Sequence, residues 1–271
     1  MSRTWSEYQG LKCVVTGAAS GMGAATTALL IEGGAEVYAL DVQQVEQEGI
    51  KAGIVCNLLD QSSIDAALDA IGVGIDAVFS CAGLPTGCGW ADTLTVNFFA
   101  PRYLLNKILP SMNSGGAIAV ISSLTLGWER QIATIGEALA TNSIEEGRAW
   151  VDNIGDRWPE PYSFSKYCLA AWTTFEAPGF MEEFGVRLNA LGPGITSSPM
   201  LDSFRETSAD NMDAQPNPIG RWSAPEEQAQ VIMFLNSPLA SYLVGANISN
   251  DGGLEAALKG GALKAALQGE N

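Results

Sequence analysis

The sequence repeats one unit along most of its length, a short apolar run followed by a turn and a helix-like stretch. Runs of four to six residues, rich in Val and Ile and without strict polar alternation, lie at Lys12–Thr16, Glu36–Leu40, Gly53–Cys56, Ile75–Ser80, Ala117–Ser122, Val186–Leu191 and Ala246–Ser249. Strands that are covered on both faces have this composition. Between these runs, helices are predicted at Gly23–Glu32, Ser62–Ile71, Thr93–Leu109, Tyr162–Phe184 and Pro225–Asn236. The alternation predicts an α/β fold, a doubly wound parallel sheet with helices on both faces.

Length and composition limit the number of domains. With 271 residues, of which 47% are hydrophobic and 16% charged, the chain can bury a large core, which excludes disorder. The length alone would allow two domains. Neither an internal repeat nor a low-complexity linker divides the sequence. We therefore expect a single domain over residues 1–271, with a C-terminal tail at 254–271 that either packs on a partner subunit or frays.

The balance of charges argues against two classes of partner. Asp and Glu number 30 against 14 Lys and Arg, which gives a net charge of −16. Nucleic acids and anionic membrane surfaces both attract clustered positive charge, so neither is an expected partner. No charge-free apolar stretch reaches the ~20 residues of a membrane span, and the N-terminus lacks an apolar signal region. The five cysteines form no C-x-x-C pair, which is typical of reduced packing residues in a cytoplasmic protein.

The sequence contains no histidine. Histidine is the commonest general base and the commonest zinc ligand, so its absence removes both at once. Because the cysteines are also scattered, we expect no metal site. Any acid–base chemistry must use Tyr, Lys, Asp, Glu or Cys.

A glycine-rich turn follows the first predicted strand and opens the first predicted helix. Over Thr16–Gly23 the glycines follow a G-x-x-x-G-x-G pattern. Gly17 allows a tight turn, Gly21 lets backbone amides approach a pyrophosphate, and Gly23 permits close packing of the helix on the strand. The N-terminus of the helix would then face the anion. The alternative is a glycine-rich turn that binds no ligand.

Asp41 ends the second predicted strand, 24 residues after Gly17 (41 − 17). A carboxylate near this spacing accepts hydrogen bonds from the adenosine ribose of a dinucleotide, and it would repel a 2′-phosphate. Neither Ser20 in the turn nor Val42 after the strand supplies a positive charge for such a phosphate, so the sequence favours NAD over NADP. The alternative is that Asp41 only caps the turn that follows it.

Tyr162 and Lys166 lie four residues apart at the start of a predicted helix, so the phenol and the ammonium share one face. A phenolate that acts near neutral pH needs its pKa lowered by about three units, roughly 4 kcal/mol. A neighbouring ammonium together with an oxidised nicotinamide can supply this stabilisation. Taken in isolation, a solvated Tyr–Lys pair is the alternative.

Two further polar positions stand in apolar surroundings upstream of the tyrosine. A predicted buried strand ends in Ser122 and Ser123, where a hydroxyl could hold a substrate oxygen. Asn97 places an amide inside an otherwise apolar predicted helix, and a buried amide needs partners. For Asn97 the alternative is a structural hydrogen bond across the sheet or a helix kink.

Together these motifs resemble the short-chain dehydrogenase/reductase family, from about Leu11 to Gly253. The segments that carry the resemblance are TGAASGMG at 16–23, Asp41, SCAG at 80–83, VNFFA at 96–100, ISS at 121–123, YSFSK at 162–166, LGPG at 191–194 and VGANISNDGG at 244–253. The resemblance implies a single-domain Rossmann fold. It also implies hydride exchange between NAD and a secondary alcohol or its ketone.

The resemblance further implies roles for individual residues. Tyr162 would donate and accept the proton, and Lys166 would lower the pKa of Tyr162 and bind the nicotinamide ribose. Ser123 would polarise the substrate oxygen, and Asn97 would anchor a water that relays protons through Lys166. The implied cofactor-binding residues are Gly17, Ser20, Gly21, Met22, Gly23, Asp41, Asn57, Leu58, Ala82, Gly83, Tyr162, Lys166, Pro193, Gly194, Thr196 and Ser198.

The sequence departs from the family pattern at three places. Asn57 stands where the family commonly has an Asp against the adenine, although Asn still offers an acceptor. SCAG replaces the commoner NNAG and loses the supporting contact of its first Asn. Ser123 and Tyr162 are 39 residues apart (162 − 123) rather than the usual 13 or so, which predicts a helical insertion at 124–161. Such an insertion resembles the bacterial 3α-hydroxysteroid dehydrogenase/carbonyl reductase subgroup; a surface cover or subunit contact unrelated to substrate choice is the alternative.

Three predicted loops are expected to line the substrate side, through Leu84, Trp90, Leu124, Trp128, Met200 and Phe204. These residues are apolar and include no Arg, which argues against acids and phosphates as substrates. We therefore expect an alicyclic alcohol or ketone of steroid or terpenoid type. One rival hypothesis is a dehydratase or epimerase on the same fold, which would need an added acid–base pair. The other is a non-catalytic NAD-sensing or interaction protein, although such relatives usually lose the Tyr or the Lys.

The insertion also bears on assembly. In this fold the helix that begins at Tyr162 commonly packs against its twin, together with the helix that holds Asn97. If residues 124–161 cover that face, we expect a homodimer through Pro225–Asn236 and Ser241–Leu258, with a tetramer as the alternative.

Overall fold

The computed structural model describes residues 5–125, 127–154, 160–203, 205 and 215–268. Within these residues, seven parallel strands form one sheet in the order β3-β2-β1-β4-β5-β6-β7. The strands are β1 (Lys12–Thr16), β2 (Glu36–Asp41), β3 (Ala52–Val55), β4 (Ile75–Ser80), β5 (Met112–Ile121), β6 (Arg187–Pro193) and β7 (Asn247–Asn250). The α-helices are α1 (Gly21–Glu32), α2 (Gln61–Ile71), α3 (Trp90–Leu94), α4 (Ala100–Ile108), α5 (Ile132–Leu139), α6 (Ile144–Ile154), α7 (Pro161–Phe184), α8 (Pro225–Asn236) and α9 (Leu254–Gln268). The predicted doubly wound α/β fold is confirmed.

The sheet separates two hydrophobic cores, which explains why its strands are apolar without alternation. In β1, Val14 packs into the core beneath α2, α4 and α7, while its neighbours Cys13 and Val15 pack into the core beneath α1 and α8. The strand order reverses between β1 and β4, so the loops that follow these two strands diverge and leave a crevice at the carboxyl edge of the sheet.

The predicted helix Thr93–Leu109 is divided into three parts. A single π-helical turn, Thr95–Phe99, separates α3 from α4 and buries all five of its side chains. The amide of Ala100 donates to the carbonyl of Thr95, five residues back. Pro101 follows and has no N–H to donate to the carbonyl of Asn97, which favours the wider turn. The alternative of a helix irregularity at Asn97 is therefore what the structure contains.

Strand β5 begins five residues before its predicted start at Ala117. Met112 pairs with Ile75, and the register then shifts before Ala77 pairs with Ala117. The early part of the strand is largely exposed and contains Gly115 at a φ of +90°. Because residues 113–116 are Asn, Ser, Gly and Gly, this part of the strand lacks the apolar signal by which the other strands were predicted.

The insertion forms a short 3₁₀ turn at Trp128–Gln131 and the helices α5 and α6, in agreement with the predicted helical character. It lies over the π turn, α3 and α7. The ring of Trp150 stacks on Phe164 of α7 at 6.1 Å and meets Phe99 edge-on at 6.5 Å. Gly147 packs so closely on Phe99 that a Cβ there would lie 2.7 Å from the ring. Trp158, the third tryptophan of the insertion, lies outside the described residues.

Arg102 fastens the insertion to α4. Its guanidinium is buried and donates to the carbonyls of Ala138 and Leu139 at the end of α5, and to both oxygens of Thr141. Because the last carbonyls of a helix lack intrahelical partners and carry partial negative charge, this cation both satisfies and neutralises the end of α5.

The C-terminal tail forms α9, which continues through Gly260 and Gly261. Leu254 at its start is buried, whereas Leu263 and Leu267 are exposed. No helix in the described part of the chain is long and apolar enough to cross a membrane.

Candidate active site

The glycine-rich turn between β1 and α1 brings backbone segments into close contact. Gly17 has a φ of +69°, and a Cβ there would lie 2.7 Å from the backbone of Ala82 after β4. Gly21 has a φ of +53°, another conformation that favours glycine. A side chain at Gly23 would collide with the carbonyl of Gly17. The turn therefore requires glycine for close backbone contacts at Gly17 and Gly23 and for a positive φ at Gly17 and Gly21.

A first cleft runs along this turn, across the carboxyl ends of β1, β2 and β4. The predicted cofactor residues that line it are Gly17, Ser20, Gly21, Met22, Gly23, Asp41, Asn57, Leu58, Ala82, Gly83 and Ser198. Ser20 precedes α1 but makes no capping hydrogen bond with its side chain, so the first amides of α1 face the cleft without a side-chain acceptor. Such a helix N-terminus suits a pyrophosphate. None of the described lining residues is Arg or Lys.

Asp41 is held by the backbone on both sides of the cleft. Its Oδ2 accepts a hydrogen bond from Ala19 in the glycine turn at 3.0 Å, and its Oδ1 accepts one from Gln43 at 3.0 Å. The second bond is the turn-capping contact considered as the alternative. Because a carboxylate can accept about four hydrogen bonds, these two contacts leave capacity for ribose hydroxyls.

Asn57 lines the same cleft but uses its side chain locally. Its Oδ1 accepts a hydrogen bond from the amide of Leu59 at 3.0 Å. The expected contact of Asn57 with an adenine therefore remains a prediction.

A second cleft adjoins the first at Met22, Ser198 and Met200 and contains the polar residues expected to act on a substrate. The hydroxyls of Ser123 and Tyr162 are hydrogen-bonded to each other in its wall. Pro193, Gly194 and Thr196 line it as well. The structure thus brings together a serine after β5, a tyrosine on α7 and the loop after β6.

Lys166 lies buried behind Tyr162. Its Nζ is 5.6 Å from the centre of the Tyr162 ring and donates to the carbonyl of Ile121 at 2.9 Å. Burial lowers the pKa of Lys166 to about 8. Burial also raises the pKa of Tyr162 to about 12, an effect that the Ser123 hydrogen bond opposes and the charge of Glu160 reinforces. The protein groups alone therefore favour the neutral phenol.

Asn97 lies in the π turn, close to Lys166. Its Oδ1 accepts from the amide of Leu84 at 2.7 Å, and its Nδ2 donates to the carbonyl of Leu84 and to the hydroxyl of Ser165, each at 3.1 Å. A Cβ added at Gly83 would lie 3.3 Å from Asn97 Oδ1 and 3.6 Å from Lys166 Nζ. These structural hydrogen bonds join the π turn to the loop after β4 and to α7 rather than crossing the sheet, and the proposed water relay remains a prediction.

The predicted substrate residues divide into two groups. Leu124 and Met200 line the second cleft, and Leu84 lines the first. Trp90 and Trp128 line neither of these two clefts, and their role toward a substrate remains a prediction. Trp90 packs on Phe164 at 6.3 Å, and Trp128 packs against the same core. Phe204 lies outside the described residues.

Several lining residues of the second cleft were missed from the sequence, among them Glu160, Tyr167 and Leu254. Glu160 caps α7 by accepting hydrogen bonds from the amides of Tyr162 and Ser163 at 2.8 and 2.7 Å. An acidic residue just before a proline and a helical stretch was the available signal for this cap.

Comparison with known families places these features in context. Residues 12–135 match the model described as short chain dehydrogenase, and residues 128–255 match the model described as Enoyl-(Acyl carrier protein) reductase. The chain is 31% identical over 255 residues to the 3-alpha-hydroxysteroid dehydrogenase/carbonyl reductase of Comamonas testosteroni, which covers 91% of this chain and 97% of that protein. It is 29% identical over 248 residues to a coniferyl-alcohol dehydrogenase of a Pseudomonas species, with coverage of 90% and 96%.

Solved structures show a similar fold. The crystal structure of the 3-alpha-hydroxysteroid dehydrogenase from Pseudomonas sp. B-0831, complexed with NADH, matches with a TM-score of 0.78 at 25% sequence identity. The match covers 92% of this chain and 98% of that chain, so it extends over most of the molecule rather than one half.

Proposed function

The chain belongs to the short-chain dehydrogenase/reductase family, whose members act on alcohols and ketones, and from that membership we propose an NAD-dependent enzyme for hydrophobic, alicyclic secondary alcohols. The observation that carries the proposal is the hydrogen-bonded pair of Ser123 and Tyr162 beside the buried Lys166. Together these residues form a proton-transfer group at the wall of the second cleft, which adjoins the first cleft along the glycine-rich turn.

In the oxidation of an alcohol, Tyr162 as phenolate takes the hydroxyl proton while Ser123 holds the substrate oxygen. A bound NAD would accept the hydride from the carbinol carbon and would bring a positive charge close to the phenol. The products are the ketone, NADH and a protonated Tyr162. Because burial raises the pKa of Tyr162 to about 12, the phenolate depends on positive charge near it, and Lys166 is the closest described cation.

The first cleft supports NAD as the cofactor. It offers an uncapped helix N-terminus for the pyrophosphate and the carboxylate of Asp41 for the ribose. The 2′-phosphate of NADP would lie close to that carboxylate, and the described lining contains no Arg or Lys to offset the repulsion between the two negative charges. Charge repulsion therefore favours NAD.

We expect the chain to bind NADH at least ten times more tightly than NADPH, which corresponds to about 1.4 kcal/mol. Asp41→Asn keeps an oxygen for the Ala19 amide but removes the charge, so it should narrow this ratio. Titration of both cofactors, followed by protein fluorescence, measures the two dissociation constants. A ratio that Asp41→Asn leaves unchanged would mean that Asp41 does not face the ribose.

The second cleft supports a neutral, apolar substrate. Leu124, Met200 and Leu201 line it, and its described lining contains no Arg or Lys to bind an acid. Glu160 adds a carboxylate to the same wall, which would repel an anionic substrate. The related protein of Comamonas testosteroni is named for a hydroxysteroid and the Pseudomonas protein for coniferyl alcohol, both hydrophobic alcohols.

A panel of alicyclic alcohols with NAD, followed by NADH absorbance, tests the proposed function. Turnover of neutral cyclic alcohols in preference to hydroxy acids of the same ring size is the expected result. Tight NADH binding without turnover of any panel member would instead indicate the non-catalytic NAD-sensing alternative.

We also propose a cytoplasmic location. The five cysteines are all free, and Cys13, Cys56 and Cys168 are buried. Burial raises the pKa of the Cys56 thiol to about 11, so it stays protonated and unreactive. Reduced packing cysteines of this kind suit a reducing compartment.

We expect a homodimer in solution. The insertion packs on the π turn and on part of α7, where a four-helix contact would otherwise form, although Phe175 and Met181 of α7 stay exposed. Tyr242, Val244 and Leu258 on the C-terminal side are exposed as well and lie in the surface expected to form the dimer. Light scattering at micromolar concentration should give a mass of twice 28.5 kDa. A mass of four times 28.5 kDa that persists after removal of residues 254–271 would contradict this assembly.

A further inference from the structure

One side chain at the edge of the sheet holds both ends of the segment that contains Ser123. Asn247 of β7 accepts a hydrogen bond from the Ser122 hydroxyl through Oδ1 at 2.9 Å. Its Nδ2 donates to the hydroxyl of Thr125 at 2.6 Å. Ser122 and Thr125 enclose Ser123 and Leu124, so a single carboxamide spans the loop that presents the serine to the second cleft.

The side chain of Asn247 extends across β6 to contact the loop that follows β5. Asn247 lies on β7, and β6 separates β7 from β5. The carboxamide passes Gly192 of β6, where a Cβ would lie 3.7 Å from Asn247 Oδ1 and 2.6 Å from the carbonyl of Ser123. A glycine at 192 therefore allows the close approach of Ser123 to β6, whereas the distance to Asn247 Oδ1 is that of an ordinary contact.

The contacts on the two sides of Ser123 differ. On the N-terminal side, the amide of Ser122 donates to the carbonyl of Leu191 at 2.7 Å, and the hydroxyl whose single proton faces Asn247 also lies 3.0 Å from that carbonyl. On the C-terminal side, β5 has already ended at Ile121, and the hydroxyl of Thr125 is held by Asn247. Loss of the carboxamide would therefore release mainly the C-terminal half of the loop.

We propose that Asn247 is a positioning residue that orients Ser123 toward Tyr162 by fixing both ends of its loop; this rests on the proposed function. Asn suits the position because one planar group supplies an acceptor for Ser122 and a donor for Thr125. A catalytic group displaced by about 1 Å can lower the rate by about 10²-fold. We accordingly expect Asn247→Ala to lower kcat by about 10- to 100-fold while the dissociation constant for NADH stays within about twofold.

A double-mutant cycle isolates the contact. Thr125→Val removes the hydroxyl and keeps the shape, so it should lower kcat by a factor similar to that of Asn247→Ala, and the double variant should lose little more. In a Ser123→Ala background, Asn247→Ala should have no further effect on kcat. Full additivity with Thr125→Val would mean that Asn247 does not act through its contact with Thr125. Full additivity with Ser123→Ala would mean that Asn247 affects the rate without Ser123. Either result would overturn the proposal.

The matched control is Asn250→Ala, three residues along the same strand, whose side chain donates to Gln228 and to the carbonyl of Glu227. This control should keep kcat within about twofold of the parent. If Asn247→Ala also left kcat unaltered, the positioning role would be refuted.

Hydrogen–deuterium exchange provides a readout that needs no turnover. Exchange over residues 122–125 should be faster in Asn247→Ala than in Asn250→Ala, and equal exchange would contradict the inference even if the panel revealed no substrate.

Discussion

Replacing Tyr162 with Phe should reduce turnover by roughly 10²- to 10⁴-fold, the usual contribution of a general acid–base group. The substitution removes the hydroxyl that is hydrogen-bonded to Ser123 and retains the ring beside Lys166. Since the phenol lies in the second cleft, the glycine turn and Asp41 are untouched. The dissociation constant for NADH should therefore change by less than about twofold. Steady-state kinetics on the best alcohol of the panel, together with an NADH titration, measures both quantities.

Tyr38→Phe is a suitable control because Tyr38 lies on β2, outside both clefts, with its ring against Lys12. It should keep the turnover of the parent. If Tyr162→Phe retained more than about a tenth of the parental turnover, the proton would have to move by another route, and the role of Tyr162 would be wrong.

Replacing Arg102 with Met should lower the free energy of unfolding by about 3 kcal/mol. Met fills much of the buried space but leaves the carbonyls of Leu139 and Thr141 without their Arg102 donor, whereas the carbonyl of Ala138 keeps the hydrogen bond from the Thr141 hydroxyl. It also removes the cation that lies 5.2 Å from the ring centre of Phe98. Urea denaturation followed by tryptophan fluorescence measures the loss, because Trp150 lies at the same interface.

Arg148→Met provides the comparison for that measurement. Arg148 also joins the insertion to the body of the protein, through an ion pair with Asp92 at 3.0 Å, but both side chains are roughly two-fifths exposed. Exposed pairs of this kind contribute about 0–1 kcal/mol. If the two variants lost the same free energy of unfolding, the buried Arg102 would contribute no more to stability than a surface cation does.

The sequence predicted most elements of the sheet because two-sided burial leaves a continuous apolar run. Strand β1 and helix α8 have the predicted bounds. The π turn escaped prediction because apolar periodicity does not encode one additional residue in a helical turn. Pro101 was a visible signal of irregularity, but it did not specify which irregularity would form.

Within the candidate site, predictability depended on whether a residue acts through local geometry or through distant packing. Gly17 and Gly23 could be predicted because their steric requirements arise within one turn. Trp90 and Trp128 lie outside both clefts, partly buried against the core that the insertion helps to cover, and no local pattern encodes that contact. Spacing also predicted the proximity of Tyr162 and Lys166, but the depth of burial that raises the tyrosine pKa depends on the whole fold.

The position of the insertion between β5 and β6 has a consequence for chain entropy. Ile121 of β5 pairs with Leu191 of β6, 70 residues later (191 − 121). The pairing of these two strands therefore closes the chain segment that contains the insertion. Loop-closure entropy grows with the logarithm of length, and extending a closed segment from about 44 to about 70 residues costs roughly 0.4 kcal/mol. One net hydrogen bond contributes about 1 kcal/mol, and Arg102 alone donates four to the insertion. Two extra helices can thus pack on the tyrosine helix at a loop-closure cost smaller than the contribution of a single hydrogen bond, a cost separate from that of ordering their own residues.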